Sequence, residues 1–140
     1  MDRLHNNELL LMDGGTGTEL QRRGIGIARG ITPGGDIGPW SARALSESPE
    51  TVSAVHEDYL KAGADIIITN TFWSNPTRLE MDGIGDRWKE YNKIGGELAV
   101  KARDSINPDA YVAAGIAPPD NDYPDTFKEL RGQAEVLAET

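Results

Sequence analysis

The chain has 140 residues, a net charge of -9 and a pI of about 4.6. That size suits one domain spanning residues 1–140, and the negative charge works against nucleic acid or an anionic membrane surface as a partner. With 38% hydrophobic and 26% charged residues and a mean hydropathy of -0.48, the composition is that of a globular protein. No apolar run approaches the roughly 18 residues of a membrane span and the N-terminus has no signal-peptide pattern, so a cytoplasmic location is expected. There is no cysteine, which removes disulfides and thiolate metal ligands from these residues.

In chain order, Leu9-Leu10-Leu11-Met12 is an apolar run of strand length that breaks at Asp13. Gly14, Gly15 and Gly17 follow, a composition that lets the backbone turn sharply or approach a ligand. A carboxylate where a buried strand meets such a turn is where α/β proteins place their chemistry; the plainer alternative is a strand-to-helix turn capped by Asp13. Thr18 to Arg23 forms a short helix stopped by Gly24. A glycine-rich loop runs to Pro39, and Trp40 ends it as a packing anchor. Ser48-Pro49-Glu50 starts a helix with Ser48 at the N-cap and proline in the first turn. Val52, Val55, His56, Tyr59 and Leu60 form its apolar face, with His56 read as a packed surface histidine, and Gly63 ends it.

Ala64 to Phe72 is the clearest strand, continuously apolar and then polar at Thr69, Asn70 and Thr71. Asn75-Pro76 opens another helix, which Gly83 and Gly85 interrupt. A longer one follows, with Trp88, Tyr91, Gly95, Leu98, Ala99 and Ala102 as its stripe. Asn107-Pro108-Asp109 turns into a third strand, Tyr111 to Ile116, then a proline-stiffened loop and a last helix from about Asp125 with Phe127, Leu130, Ala134, Leu137 and Ala138 on its face. Strands separated by helices imply a parallel α/β sheet whose strand ends, at Asp13, Thr69 and Gly115, share one rim.

The stretches Met12-Asp13-Gly14-Gly15-Thr16-Gly17-Thr18-Glu19-Leu20, Trp40-Ser41-Ala42, Tyr59-Leu60-Lys61-Ala62-Gly63-Ala64-Asp65, Thr69-Asn70-Thr71-Phe72 and Gly115-Ile116-Ala117-Pro118 are together similar to the N-terminal part of the homocysteine S-methyltransferases. The resemblance implies the first three βα units of a (β/α)8 TIM-type barrel. It also implies transfer of a methyl group from a small methyl donor to homocysteine, giving methionine. Asp13-Gly14 resembles the element that holds the amino-acid portion of homocysteine, and Thr69, Asn70, Thr71 and Phe72 resemble its pocket wall. A carboxylate suits an ammonium, the N–H groups of Gly14 and Gly15 suit a carboxylate, and Phe72 suits a thioether-like chain.

The family activates the thiol with zinc held by three cysteines from later strands, so zinc is the implied cofactor while its ligands are absent from this chain. No catalytic residue and no metal ligand is therefore assigned. The chain reads as an enzyme fragment or as a non-catalytic partial-barrel module that binds or assembles. Self-association, or a missing C-terminal half, is expected from the uncovered edges. A phosphate cradle at Gly14 to Thr18 is the weakest alternative, lacking a Gly-Lys-Ser/Thr ending and a complete GxGxxG.

Overall fold

The computed structural model describes residues 2–26, 39–117 and 126–140. Most of the glycine-rich loop (27–38) and the proline loop (118–125) lie outside the described residues, as does the side chain of Phe127. In chain order the elements are α1 (Asp2–His5), α2 (Thr16–Arg22), a 3-10 turn (Trp40–Arg43), α3 (Ala44–Glu47), α4 (Pro49–Lys61), β1 (Ile66–Ile68), α5 (Pro76–Glu80), a 3-10 turn (Gly85–Arg87), α6 (Trp88–Ile106), β2 (Tyr111–Ala113) and α7 (Thr126–Ala138).

Local chemistry accounts for the helix ends. Gly24 and Gly63 follow α2 and α4 at φ +83° and +99°, a region where a side chain is strained. Proline opens α4 and α5, and the Asn75 side chain accepts a 2.8 Å hydrogen bond from the Arg78 N–H. Ser48 takes the N-cap position of α4 without a hydroxyl cap bond, so its contribution there is positional. Trp40 is a packing anchor: a Cβ on Gly17 would lie 2.9 Å from its indole.

The sheet is parallel, with Ile66, Ile67 and Ile68 opposite Tyr111, Val112 and Ala113. The strands are shorter than the apolar runs suggest. The second run pairs only over Ile66–Ile68 and the third only over Tyr111–Ala113. The first contributes a single parallel bridge, Met12 to Ile66. Asp13 N–H donates to the Ile66 carbonyl, and Asp65 and Ile66 N–H both donate to the Leu11 carbonyl. The order is thus residues 9–12, β1, β2.

Two apolar clusters lie in the helix layer. One joins α2, α3 and α4 to α5 and α6 through Leu20, Leu45, Val52, Val55, Leu79 and Tyr91. The other joins Ile67 to Leu60, Ala99 and Ala102. Ile67 and Val112 face this layer, while their neighbours Ile66 and Ile68 face the opposite side. Arg43 clamps Asp82 with Nε and Nη2 at 2.6 and 2.5 Å, tying the segment before α3 to the turn after α5.

His56 departs from the expectation. It is fully buried rather than at the surface, and neither ring nitrogen has a partner among the described residues. Its helix packs the Val52–Leu60 face against α6, whose small residues Gly95, Ala99 and Ala102 let the helices approach closely. Burial pushes the imidazole pKa down to about 4.

Candidate functional site

Met12 makes a parallel bridge to Ile66 of β1, and just after it the Asp13 side chain continues the ladder. Its Oδ2 accepts the Ile68 N–H at 2.9 Å. Its Oδ1 is shielded from solvent and has no partner among the described residues. Burial raises the carboxyl pKa, and the Ile68 hydrogen bond partly opposes that. Asp13 therefore has one oxygen committed to the fold and one buried without a partner among the described residues.

Gly14 and Gly15 are exposed at the start of α2. A Cβ on Gly14 would fall 2.9 Å from the Tyr59 hydroxyl, and one on Gly15 would run into Thr18. Neither glycine has a positive φ, so a side chain at either position would have to displace Tyr59 or Thr18 rather than strain the backbone. Tyr59 lies beneath this turn, and burial, with Glu19 and Asp13 nearby, raises its phenol pKa. The helical spacing puts Tyr59 on the apolar face of α4, and the structure brings its hydroxyl to the diglycine turn.

The end of β1 carries a closed ring of hydrogen bonds. Gly115 N–H donates to Thr69 Oγ1 at 2.9 Å, Thr69 donates to Thr71 Oγ1 at 2.7 Å, and Thr71 donates to the Gly115 carbonyl at 2.8 Å. The direction of the middle bond follows from the other two, because the Thr71 proton is already committed to Gly115. Both threonines are buried. Asn70 is buried too, and its Nδ2 donates to the Ser41 carbonyl at 2.8 Å. These polar groups hold the rim together, joining the end of β1 to Gly115, two residues beyond β2, and to the 3-10 turn.

Phe72 is placed differently, 41% exposed and edge-on to Trp73 at 5.1 Å. Arg78 stacks over the Trp73 ring at 4.6 Å. Beneath this turn Asn92 Nδ2 donates to the carbonyls of Ser74 and Trp88, both at 2.7 Å, and Gln133 Nε2 reaches Asn92 Oδ1 at 3.5 Å. The sequence pattern singles out neither Asn92 nor Gln133 as a site residue. Asn92 lies one turn after Trp88 on the buried stripe of α6, and a polar residue in that register was the available signal.

The structure thus brings Thr69, Thr71 and Gly115 into direct contact and anchors Asp13 to β1, with Asp13 Oδ1 unpaired among the described residues and the Phe72 ring against Trp73 and partly exposed. No group of three His, Asp or Glu side chains among the described residues could hold a metal ion. With no cysteine in the sequence, the donor set does not fit a thiolate zinc site.

The comparisons with known proteins bear on the family and the fold. The family model described as homocysteine S-methyltransferase matches residues 10–136. The homocysteine S-methyltransferase of Escherichia coli (strain K12) is 35% identical over 143 residues, covering 97% of this chain and 43% of that protein. Betaine–homocysteine S-methyltransferase 1 of Danio rerio is 32% identical, covering 84% of this chain and 27% of its own length. The crystal structure of the homocysteine methyltransferase MmuM from Escherichia coli in its metallated form superposes with a TM-score of 0.76 at 28% identity, covering 97% of this chain and 52% of that one. The fold is α/β and similar to that enzyme, and the chain spans about half or less of the proteins it matches.

Proposed function

We propose the function from one premise: this chain belongs to the homocysteine S-methyltransferase family, whose model matches residues 10–136. The reading is that its residues form the homocysteine-binding portion of a (β/α)8 barrel, its first three βα units. The reaction is transfer of a methyl group from a small methyl donor to the homocysteine thiol, giving methionine.

The observation that carries the reading is the unpaired Asp13 Oδ1 beside an exposed diglycine turn. A buried carboxylate oxygen without a partner carries a desolvation cost that a substrate ammonium offsets. Asp13 takes the ammonium of homocysteine, and the backbone N–H groups of Gly14 and Gly15 take its carboxylate. Phe72 covers the thioether-like chain. Thr69, Asn70 and Thr71 form the wall behind it and act through its shape, because their polar atoms are committed to the rim.

Zinc in the parent family supplies thiol activation. The residues here do not supply its ligands, and no step is routed through it. The absence of cysteine favours a second reading, in which the chain by itself is a binding and assembly module without turnover. The reading places the protein in the cytoplasm, where a free thiol substrate stays reduced. It includes self-association, or pairing with a separate C-terminal half, across the sheet edges. Among the described residues, no helix is long and apolar enough to cross a membrane.

Titration calorimetry with homocysteine tests the site. The chain is expected to bind it, with Asp13→Ala weakening binding by about 1–3 kcal/mol, the cost of losing a charged hydrogen bond. Equal affinity of the two proteins sinks the assignment of Asp13.

A further inference from the structure

Helix α6 touches the segment that carries Phe72 at two places, one helical turn apart. We propose that Asn92 and Gly95 together hold that segment at a fixed distance, with Asn92 as a positioning residue for the Phe72 ring, so that α6 sets how well the site discriminates the side chain of its amino-acid ligand. This rests on the homocysteine reading above, in which Phe72 covers the substrate's chain, and names what fixes the ring there.

Asparagine is a weak helix former, and burying its amide is costly unless its hydrogen bonds are met. Asn92 of α6 is 0% exposed. Its Nδ2 donates to the carbonyl of Trp88, in its own helix, and to the carbonyl of Ser74, both at 2.7 Å. Gln133 of α7, also buried, reaches the Asn92 Oδ1 at 3.5 Å, which fixes the way the amide faces. Of the two bonds that Asn92 donates, the one to Ser74 leaves the helix. Ser74 is fully buried and its hydroxyl has no partner among the described residues, so its carbonyl is where α6 takes hold.

Gly95 lies on the same face of α6, three residues on. A Cβ there would overlap Thr71 Cγ2, so the bare backbone of α6 seats that threonine. Asn92 thus holds the last residue of segment 71–74, and Gly95 sets how closely the first approaches. Ser74 N–H donates to the Thr71 carbonyl at 2.9 Å, closing the turn between the two contacts. Phe72 and Trp73 lie between them. Trp73 packs against the core cluster and under Arg78, and the Phe72 ring stands edge-on to it at 5.1 Å.

Dispersion decides why such fixing matters. A gap of about 0.5–1 Å between ring and ligand forfeits roughly a quarter to a half of each contact. A segment released from Asn92, or pushed at Thr71, therefore loses its hold on the ligand's side chain. The ammonium and carboxylate contacts assigned to Asp13, Gly14 and Gly15 do not run through α6.

Calorimetric titration of the full chain with homocysteine and with alanine tests this. Alanine keeps the ammonium and carboxylate and lacks the chain that Phe72 covers. The unaltered chain is expected to prefer homocysteine about tenfold or more, as one or two buried groups would give. Asn92→Leu removes the amide at similar volume, and Gly95→Ala pushes Thr71 while keeping a good helix former in α6. Each is expected to cut the preference about threefold or more by weakening homocysteine alone. Ala102→Gly destabilises the same helix away from the segment and is expected to leave the preference intact. Without ligand, NMR cross-peaks between the Phe72 and Trp73 rings are expected to weaken in the first two variants and to persist in the third. An unchanged preference in either folded variant, equal losses for both amino acids, a loss matched by Ala102→Gly, or cross-peaks at full intensity overturns the proposal. Asp13→Ala is expected to weaken both amino acids together. A chain that binds neither removes the homocysteine reading and this inference with it; Asp13-dependent binding with an unchanged preference removes this inference alone.

Discussion

Burial moves two pKa values in opposite directions, His56 down and Asp13 up. His56 is buried without partners and its pKa falls from 6.5 to about 4. The folded state therefore binds fewer protons than the unfolded state between those values. Stability is fully present above pH 6.5, declines as pH falls towards 4, and loses no more from this residue below that. The loss amounts to about 3 kcal/mol. Urea melts at pH 7 and pH 4 are expected to differ by that much less in His56→Leu than in the unaltered chain; equal pH dependence would show that His56 stays hydrated. Asp13 is raised by burial, so it takes up a proton above the usual carboxylate range. Homocysteine affinity is expected to fall on acidification through that raised value, and Asp13→Asn to remove the dependence. Calorimetric titrations across that pH range check it.

At the scale of elements, the rim is held by side chains more than by long strands. β1 and β2 pair over three residues each. Asp65 extends the pairing, accepting the Leu11 N–H at 2.9 Å and Arg3 Nη1 at 2.8 Å, and Asp13 does the same at Ile68. The Leu11 hydrogen bond, followed by Arg3, lowers the Asp65 pKa. The ring through Thr69, Thr71 and Gly115 closes the other side. Thr71→Val strands the Thr69 hydroxyl and the Gly115 carbonyl in a buried place, and is expected to cost about 1–3 kcal/mol in denaturant melts. Gly115→Ala is expected to be at least as costly, because its Cβ would lie 2.6 Å from the Thr69 carbonyl oxygen, a backbone atom that cannot swing away. A Gly115→Ala chain as stable as the original would show that the rim relaxes freely.

For the whole molecule, the chain carries the proposed homocysteine-binding rim and no cysteine for a thiolate zinc site. Metal analysis of the chelator-washed, tag-free chain is expected to find well under one zinc per chain, since such sites take three or four Cys, His or carboxylate ligands in a preformed cluster. Methyl transfer to homocysteine by the chain alone is expected at background. Turnover by zinc-free protein that vanishes in Asp13→Ala would move the chemistry onto this rim. Homocysteine binding by a chain that turns nothing over is the result that joins both expectations.

Much of this was legible in residues 1–140 because the signals are local. Pro49 and Pro76 mark helix starts by their missing N–H, and Gly24 and Gly63 mark ends by tolerating positive φ. The order of apolar runs and helical stripes was enough for a parallel α/β fold, and the order and spacing of the stretches from Met12 to Pro118 for the family resemblance. Other features are decided between elements. Strand length depends on how far a neighbour runs alongside, so six to nine apolar residues became three paired ones. The burial of His56 depends on how closely α6 approaches α4, which no pattern within α4 encodes. Thr69 and Thr71 read as pocket-facing polar residues, yet the close approach of Gly115 turns their hydroxyls into each other and into its backbone. Asp13 shows both kinds of information. Its position after an apolar run was visible in the sequence, but only the tertiary structure commits one oxygen to Ile68 and leaves the other unpaired, because that division depends on where β1 lies.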